Sequence, residues 1–410
     1  MSGIYLTETN AVIVDTVSVT VTDFTATAGT ATVTDASQSD LTTLAANGNI
    51  VLVATNGDIT LNDGPDLGTT AISAHGSGSV LIDAVTGNVT VNADILSSTG
   101  HITLKADLAM DLTSDVDVMT GTSGTISMDA EGGALTMAAS VNVIATGSSL
   151  RVAADGDITL GELTAANVSV VSADGAILNA DSAILNVSAT NLRLEADDEI
   201  GSSGTGHLTI SVDTVTALSA GTSNSGIYLT ESNTVTVDTV SVTVRDFTAT
   251  ATTVPVTDLS QSDLKTSAAN GKIVLVATIG DITLSDGDTD GFAVTAHGTG
   301  SVLIDAVAGN VAVNADISSG TGHITVKADL AMSLNANVDV TTGMAGTISL
   351  DAEGGALTMD PSVNVTATTS SLRVAANGDI TLGELTATNV SVVSANGAIL
   401  NADGAILNVT

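Results

Sequence analysis

Carboxylates dominate the ionisable groups of this chain. The sequence holds 45 Asp and Glu, 8 Lys and Arg, 5 His and no Cys. The absence of Cys removes thiolate nucleophiles, disulfides and sulfur metal ligands together. His75, His101, His207, His297 and His323 form no His-x-x-x-His pair and no cluster with carboxylates, so zinc finds no ligand set. His101 occupies the slot that Asp58, Asn88, Thr125 and Asp157 occupy in sister segments, and an exposed corner position is expected for it. A lyase acting on acidic polysaccharide needs clustered cations to neutralise its substrate and one group to take a proton. Here the cations are scattered, and Arg245, Lys265 and Lys272 have uncharged counterparts in Thr22, Thr42 and Asn49. A glycosidase pair is equally unsupported, since Asp155 and Asp174 recur as Asn377 and Asn396. Asn replaces Asp freely where the side chain only accepts a backbone hydrogen bond at a turn. Calcium is the one cofactor these carboxylates suggest, because oxygen-rich Asp/Gly turns hold it. The candidate ligands are Asp63, Asp66, Asp286, Asp288 and Asp290 in Gly/Asp-rich loops and Asp155 with Asp157 at a corner. No Gly-Gly-x-Gly-x-Asp nonapeptide and no EF-hand loop accompanies them.

The elements that must position these residues are read from repeats. Ser2–Glu8 returns as Ser225–Glu231 at an offset of 223, and Gly132–Val187 returns as Gly354–Val409 at 222, with 48 identities in 56 positions. The change of offset places a one-residue deletion between Leu61-Asn62-Asp63-Gly64-Pro65 and Leu284-Ser285-Asp286-Gly287-Asp288, which reads as a surface loop. The chain is therefore expected to comprise residues 1–223 as a first long unit and 224–410 as a second, incomplete copy continuous with it. Thr410 aligns with Ser188, so an excerpt of a longer array is expected.

Within each copy a finer pattern recurs: a turn pair, then alternating apolar residues, as in Gly57-Asp58-Ile59-Thr60-Leu61 and Gly100-His101-Ile102-Thr103-Leu104. Each is a short strand launched by a turn. Several lie nine residues apart in pairs, and the pairs begin about 19 to 30 residues apart, mostly near 22. This spacing predicts an all-β fold, a parallel β-helix of about 20–24 residues per rung whose corners carry Gly, Asn and Asp. At a rise of ~4.8 Å per rung the whole would measure about 90 Å. A string of immunoglobulin-like sandwiches is the rival, but those recur near 100 residues and bury a Trp, of which this chain has none. The Thr-rich alternation of Thr16–Thr22 and Thr25-Ala26-Thr27 could form outward Thr ladders of the ice-binding kind, but it is too irregular for a lattice and is expected to be an ordinary outward strand face of the coil.

Composition narrows the function classes further. Two Tyr and three Phe leave little aromatic surface for a ligand pocket or for sugar stacking. A net charge of −37 repels nucleic acid and anionic membranes, and no run of about 18 apolar residues offers a membrane span. Met1-Ser2-Gly3-Ile4-Tyr5 has no signal-peptide character.

The runs GDITL, GHITLKADL, GNVTVNADI and LRVAADGDITLGELTAANVSVVSADGAI resemble the repeats of filamentous-haemagglutinin-type exoproteins and giant repetitive bacterial surface adhesins over nearly the whole chain. The resemblance implies a right-handed parallel β-helix, an extracellular place on the bacterial surface, and a role in adhesion or biofilm structure. The expected function is non-enzymatic: the shaft of an adhesin or fibre. The alternatives are a filament subunit that stacks end to end and a polysaccharide-active enzyme on the same fold. Expected partners are further copies of the repeat and a cell-surface or matrix glycan, with no nucleic acid and no membrane insertion.

Overall fold

The computed structural model describes residues 3–44, 47–64, 68–221, 225–267, 270–404 and 408–410. Among these the fold is all-β: no helix occurs, and short strands joined by turns follow one another from Gly3 to Asn401. The pairing is that of a parallel β-solenoid, in which each strand bonds the strand one rung further along the chain. The chain divides into two compact units, one formed by Met1–Ser149 with Val244–Val256, the other by Leu150–Thr243 with Thr257–Thr410.

The first unit is built from three parallel ladders. One stacks Gly3–Glu8, Asn49–Ala54, Val80–Ala84, Ile102–Ala106 and Ile126–Ala130. A second stacks Val12–Val14, Ile59–Leu61, Val89–Val91, Met110–Leu112 and Leu135–Met137. A third carries Thr70–Ala74, Asp94–Ser97 and Asp117–Thr120. In-register partners such as Ile50, Val80, Ile102 and Ile126 are all buried and repeat one apolar column from rung to rung. Alternation along each strand produces this, since successive side chains point to opposite faces and only one face meets the interior. The columns take Val, Ile, Leu, Met and Ala, which tile a narrow core that an aromatic ring would distort. The second unit repeats the scheme, with Ile227–Glu231, Ile273–Ala277, Val302–Ala306, Ile324–Ala328 and Ile348–Ala352 in one parallel ladder.

In-register residues on neighbouring rungs are separated by 18 to 31 residues, wider than the expected 20–24, and by 46 or 47 at one rung of each copy. The longest rung corrects the expectation for Thr16–Thr22. This segment leaves the coil: Thr20–Phe24 pairs antiparallel with Thr30–Thr34, and all ten residues are exposed. Alternating Thr and Val suits a hairpin as well as a coil strand, because a period of two does not specify the direction of the partner. A second hairpin, Val240–Phe247 with Thr253–Gln261, occupies the equivalent place in the second copy.

Candidate functional sites

Corner carboxylates are occupied by the fold itself. The Asp58 carboxylate accepts the Asn88 N–H at 2.8 Å and Asp157 accepts the Ala176 N–H at 2.9 Å, each bond joining one rung to the next. Asn88 in turn accepts the Ala109 N–H at 3.1 Å, which shows why Asn and Asp interchange at these corners. Of the calcium candidates, Asp155 is half-buried, Asp157 caps the next rung and Asp63 is exposed. None of the three joins a metal-competent group of carboxylates among the described residues. Asp66 lies outside the described residues.

The loop of the second copy behaves differently. Asp286 accepts the N–H groups of Asp288 and Thr289, Asp288 accepts that of Asp290, and Asp290 accepts that of Phe292, so each carboxylate shapes the backbone that carries the next. The loop thereby brings Asp288 and Asp290 to Asp263, with one oxygen from each residue within 4.8 Å of the others. Asp263 was not anticipated. It sits where the second hairpin rejoins the coil, held in the left-handed region at φ 68° with its carbonyl accepting the Ala217 N–H and the Thr216 hydroxyl. The one sequence signal is the tetrapeptide Gln261-Ser262-Asp263-Leu264, which repeats Gln38-Ser39-Asp40-Leu41 unchanged.

A recess of about 200 Å³ beside Asp263 is lined also by Thr239, Gln261, Lys265 and Asp288. Three of its oxygens, Thr239 Oγ1, Gln261 Oε1 and Asp263 Oδ1, are buried and make no hydrogen bond. Burial, and then the charges of Asp290 and Asp288, push the Asp263 carboxyl up to about 7 against the Ser262 hydrogen bond and Lys265. Carboxylate, amide and hydroxyl oxygens without partners are the donor set a hard divalent cation takes, and Ca²⁺ tolerates such an irregular arrangement. Lys265, which lines the same recess, opposes such an ion.

A second cluster surrounds Lys105 in the first unit. Its ammonium lies 3.1 Å from Asp246 in the first strand of the second hairpin, and Asp83 is its in-register neighbour on the adjacent strand. Asp83, Lys105, Asp246 and Phe247 share a cavity of about 400 Å³ with Leu81 and Val254. A cation within reach of several carboxylates is the constellation a polysaccharide-active site would need. Burial works against the Lys105 charge, but Asp246, Glu131 and Asp129 more than offset it and hold its pKa above the ordinary lysine value. A lysine held in this way is a fixed cation at neutral pH and a poor proton acceptor. Burial raises Asp83, with Lys105 partly countering it.

His101 is half-buried rather than exposed. Its Nδ1 accepts the Thr125 N–H at 3.1 Å and lies 3.0 Å from the Thr125 hydroxyl, and burial, with Arg245 nearby, lowers its pKa. The equivalent His323 makes the same contacts with Thr347 and remains exposed. Gly100, beside His101, shows how tightly the corners stack, since a Cβ there would meet the Gly78 carbonyl oxygen at 2.1 Å. No family model, no curated protein and no solved structure matches the chain.

Proposed function

We propose that this chain is a non-enzymatic structural module, the repeat region of a bacterial surface adhesin or fibre, working outside the cell as a stiff spacer. The observation that carries the reading is the column of identical or near-identical apolar residues repeated in register over successive rungs. Such a stack spends its sequence on the core and corners, and each rung templates the next. Scattered cations, few aromatics and carboxylates engaged in corner bonds agree with mechanical work rather than turnover. A net charge of −37 keeps copies soluble and discourages lateral aggregation. The Asp263–Asp288–Asp290 trio adds a place where calcium, abundant outside cells, would stiffen a loop.

Electron microscopy of the purified chain, with calcium and with a chelator, tests this reading. Elongated particles are expected, whereas compact globular particles would overturn it. Surface labelling of bacteria producing the full-length protein tests the location, and signal only after permeabilisation would refute it. The enzyme alternative rests on the Lys105 cavity, and it predicts depolymerisation of an acidic polysaccharide that Lys105→Met abolishes.

A further inference from the structure

The two hairpins have nearly the same sequence and opposite surroundings. In the second, Phe247 is 3% exposed and Val244 is 0% exposed. In the first, their equivalents Phe24 and Val21 are 76% and 49% exposed. The difference lies in what covers them. Phe247 packs with Val51, Val53 and Leu81, the outward residues of adjacent coil strands. The edge of the hairpin is tied down by side-chain hydroxyls: the Phe247 N–H donates to Thr103 at 2.8 Å and the Arg245 N–H to Thr125 at 2.9 Å. Asp246 pairs with Lys105 at 3.1 Å.

Every element of this receiving face recurs in the second copy. Val274, Val276, Leu303, Thr325, Lys327 and Thr347 stand where Val51, Val53, Leu81, Thr103, Lys105 and Thr125 stand in the first. They form the same ladder in the same register, Val274 beside Leu303 and Leu303 beside Thr325. All six are half-buried, whereas five of their counterparts in the first copy are buried and the sixth, Lys105, is bound to Asp246. Next to this face runs an open groove of about 350 Å³ lined by Thr347, Ser349, Arg373 and Asn389. In the first copy, the residue equivalent to Arg373 is Arg151, whose guanidinium Nε lies 3.1 Å from both oxygens of Asp258 in the second hairpin. The first hairpin keeps the matching groups: Val19, Val21, Asp23, Phe24 and Asp35 are the counterparts of Val242, Val244, Asp246, Phe247 and Asp258.

We propose that the hairpin Thr20–Thr34 of one molecule docks on the Val274–Leu303–Lys327 face of a second copy of this chain. Phe24 covers Val276 and Leu303, Asp23 takes Lys327 from its present partner Glu353, and Asp35 takes Arg373 from its present partner Asp351. The occupant is identified by the chain's own precedent, since a hairpin of matching residues already sits on a face of matching residues. Charge complementarity supports it. In a chain with only eight Lys and Arg, two of them lie where the two hairpin acids arrive. The donor and acceptor are different patches, so the contact is heterologous and each molecule keeps one of each for further copies. This deepens the reading of the chain as a fibre-forming module and rests on it, but it assigns assembly to a hairpin instead of to bare strand ends.

The test pairs two variants of the full chain. Phe24→Asp spoils the donor and leaves the acceptor; Leu303→Asp spoils the acceptor and leaves the donor. Analytical ultracentrifugation is expected to show wild type associating with rising concentration and each variant staying monomeric. An equimolar mixture should form a one-to-one complex, because each variant supplies what the other lacks. The charge swap is a second probe: Asp23→Lys and Lys327→Asp each weaken association at least tenfold, and the doubly substituted chain regains it. A monomeric wild type, a mixture that stays monomeric, or a Phe24→Asp chain that still associates would each overturn the proposal. Electron microscopy of the same monomeric variants reports particle shape separately, so the docking idea can fail while the structural-module reading stands.

Discussion

Asp263 and Glu231 are carboxylates that the fold places where their charge is disfavoured, and both are pushed up to about 7, mainly by burial. Glu231 is fully buried, and the N–H groups of Asn233, Val212 and Ser232 offset that burial only in part. In the unfolded chain such groups titrate near 4. Between about pH 4 and pH 7 the folded chain therefore holds protons that the unfolded chain has released, and stability falls as pH rises through that window. Thermal unfolding should have a higher midpoint at pH 5 than at pH 8. Glu231→Gln should flatten that dependence and stabilise the chain at pH 8 by on the order of 2 kcal/mol. A midpoint indifferent to pH would remove the argument. If the Asp263–Asp288–Asp290 trio holds calcium as proposed, the ion should raise the midpoint of the wild type at pH 8 and leave Asp263→Asn unmoved, as scanning calorimetry would show. Asp288 and Asp290 were legible as candidates from their Gly/Asp loop, whereas Asp263 was not, because only the return of the hairpin brings it there.

At the scale of the element, the strands and corners were legible because they are local. A turn pair followed by alternating apolar residues marks Ile59–Leu61, Ile102–Ala106 and Ile158–Leu160, and the structure has strands at each. The hairpins were not separable from coil strands, since their alternation is the same and their partners are antiparallel. Their two environments make a direct comparison possible. Phe247→Ala should cost about 3–5 kcal/mol, the range for emptying a buried aromatic site, while Phe24→Ala in the isolated chain should stay within about 0.5 kcal/mol. Urea unfolding followed by hydrogen exchange would resolve the two, and equal losses would contradict the difference in burial. At the corners, Gly100→Ala forces a Cβ against the Gly78 carbonyl oxygen of the rung below. A loss of about 2 kcal/mol or more, with exchange protection falling on the rungs around it, is expected.

For the whole molecule, the charge balance sets the response to salt. With a net charge of −37, self-repulsion opposes the folded state and any contact between copies, and both should strengthen as ionic strength rises towards ~0.15 M. Unfolding midpoints that fall over this range would indicate that the ion pairs dominate. By itself the sequence determined the all-β character, the rough length of the ordinary rungs but not of the two long ones, the apolar residues that face inward and the corner residues that tolerate Asn for Asp. These follow from periodicity and turn chemistry within a few tens of residues. Only the tertiary structure decided that the Thr-rich segments leave the coil, that Asp263 meets Asp288 and Asp290, and that Phe247 finds Thr103 across 144 residues. Those contacts depend on where a hairpin lands on a stacked surface, and local alternation specifies the two faces of a strand without specifying what will cover the outer one.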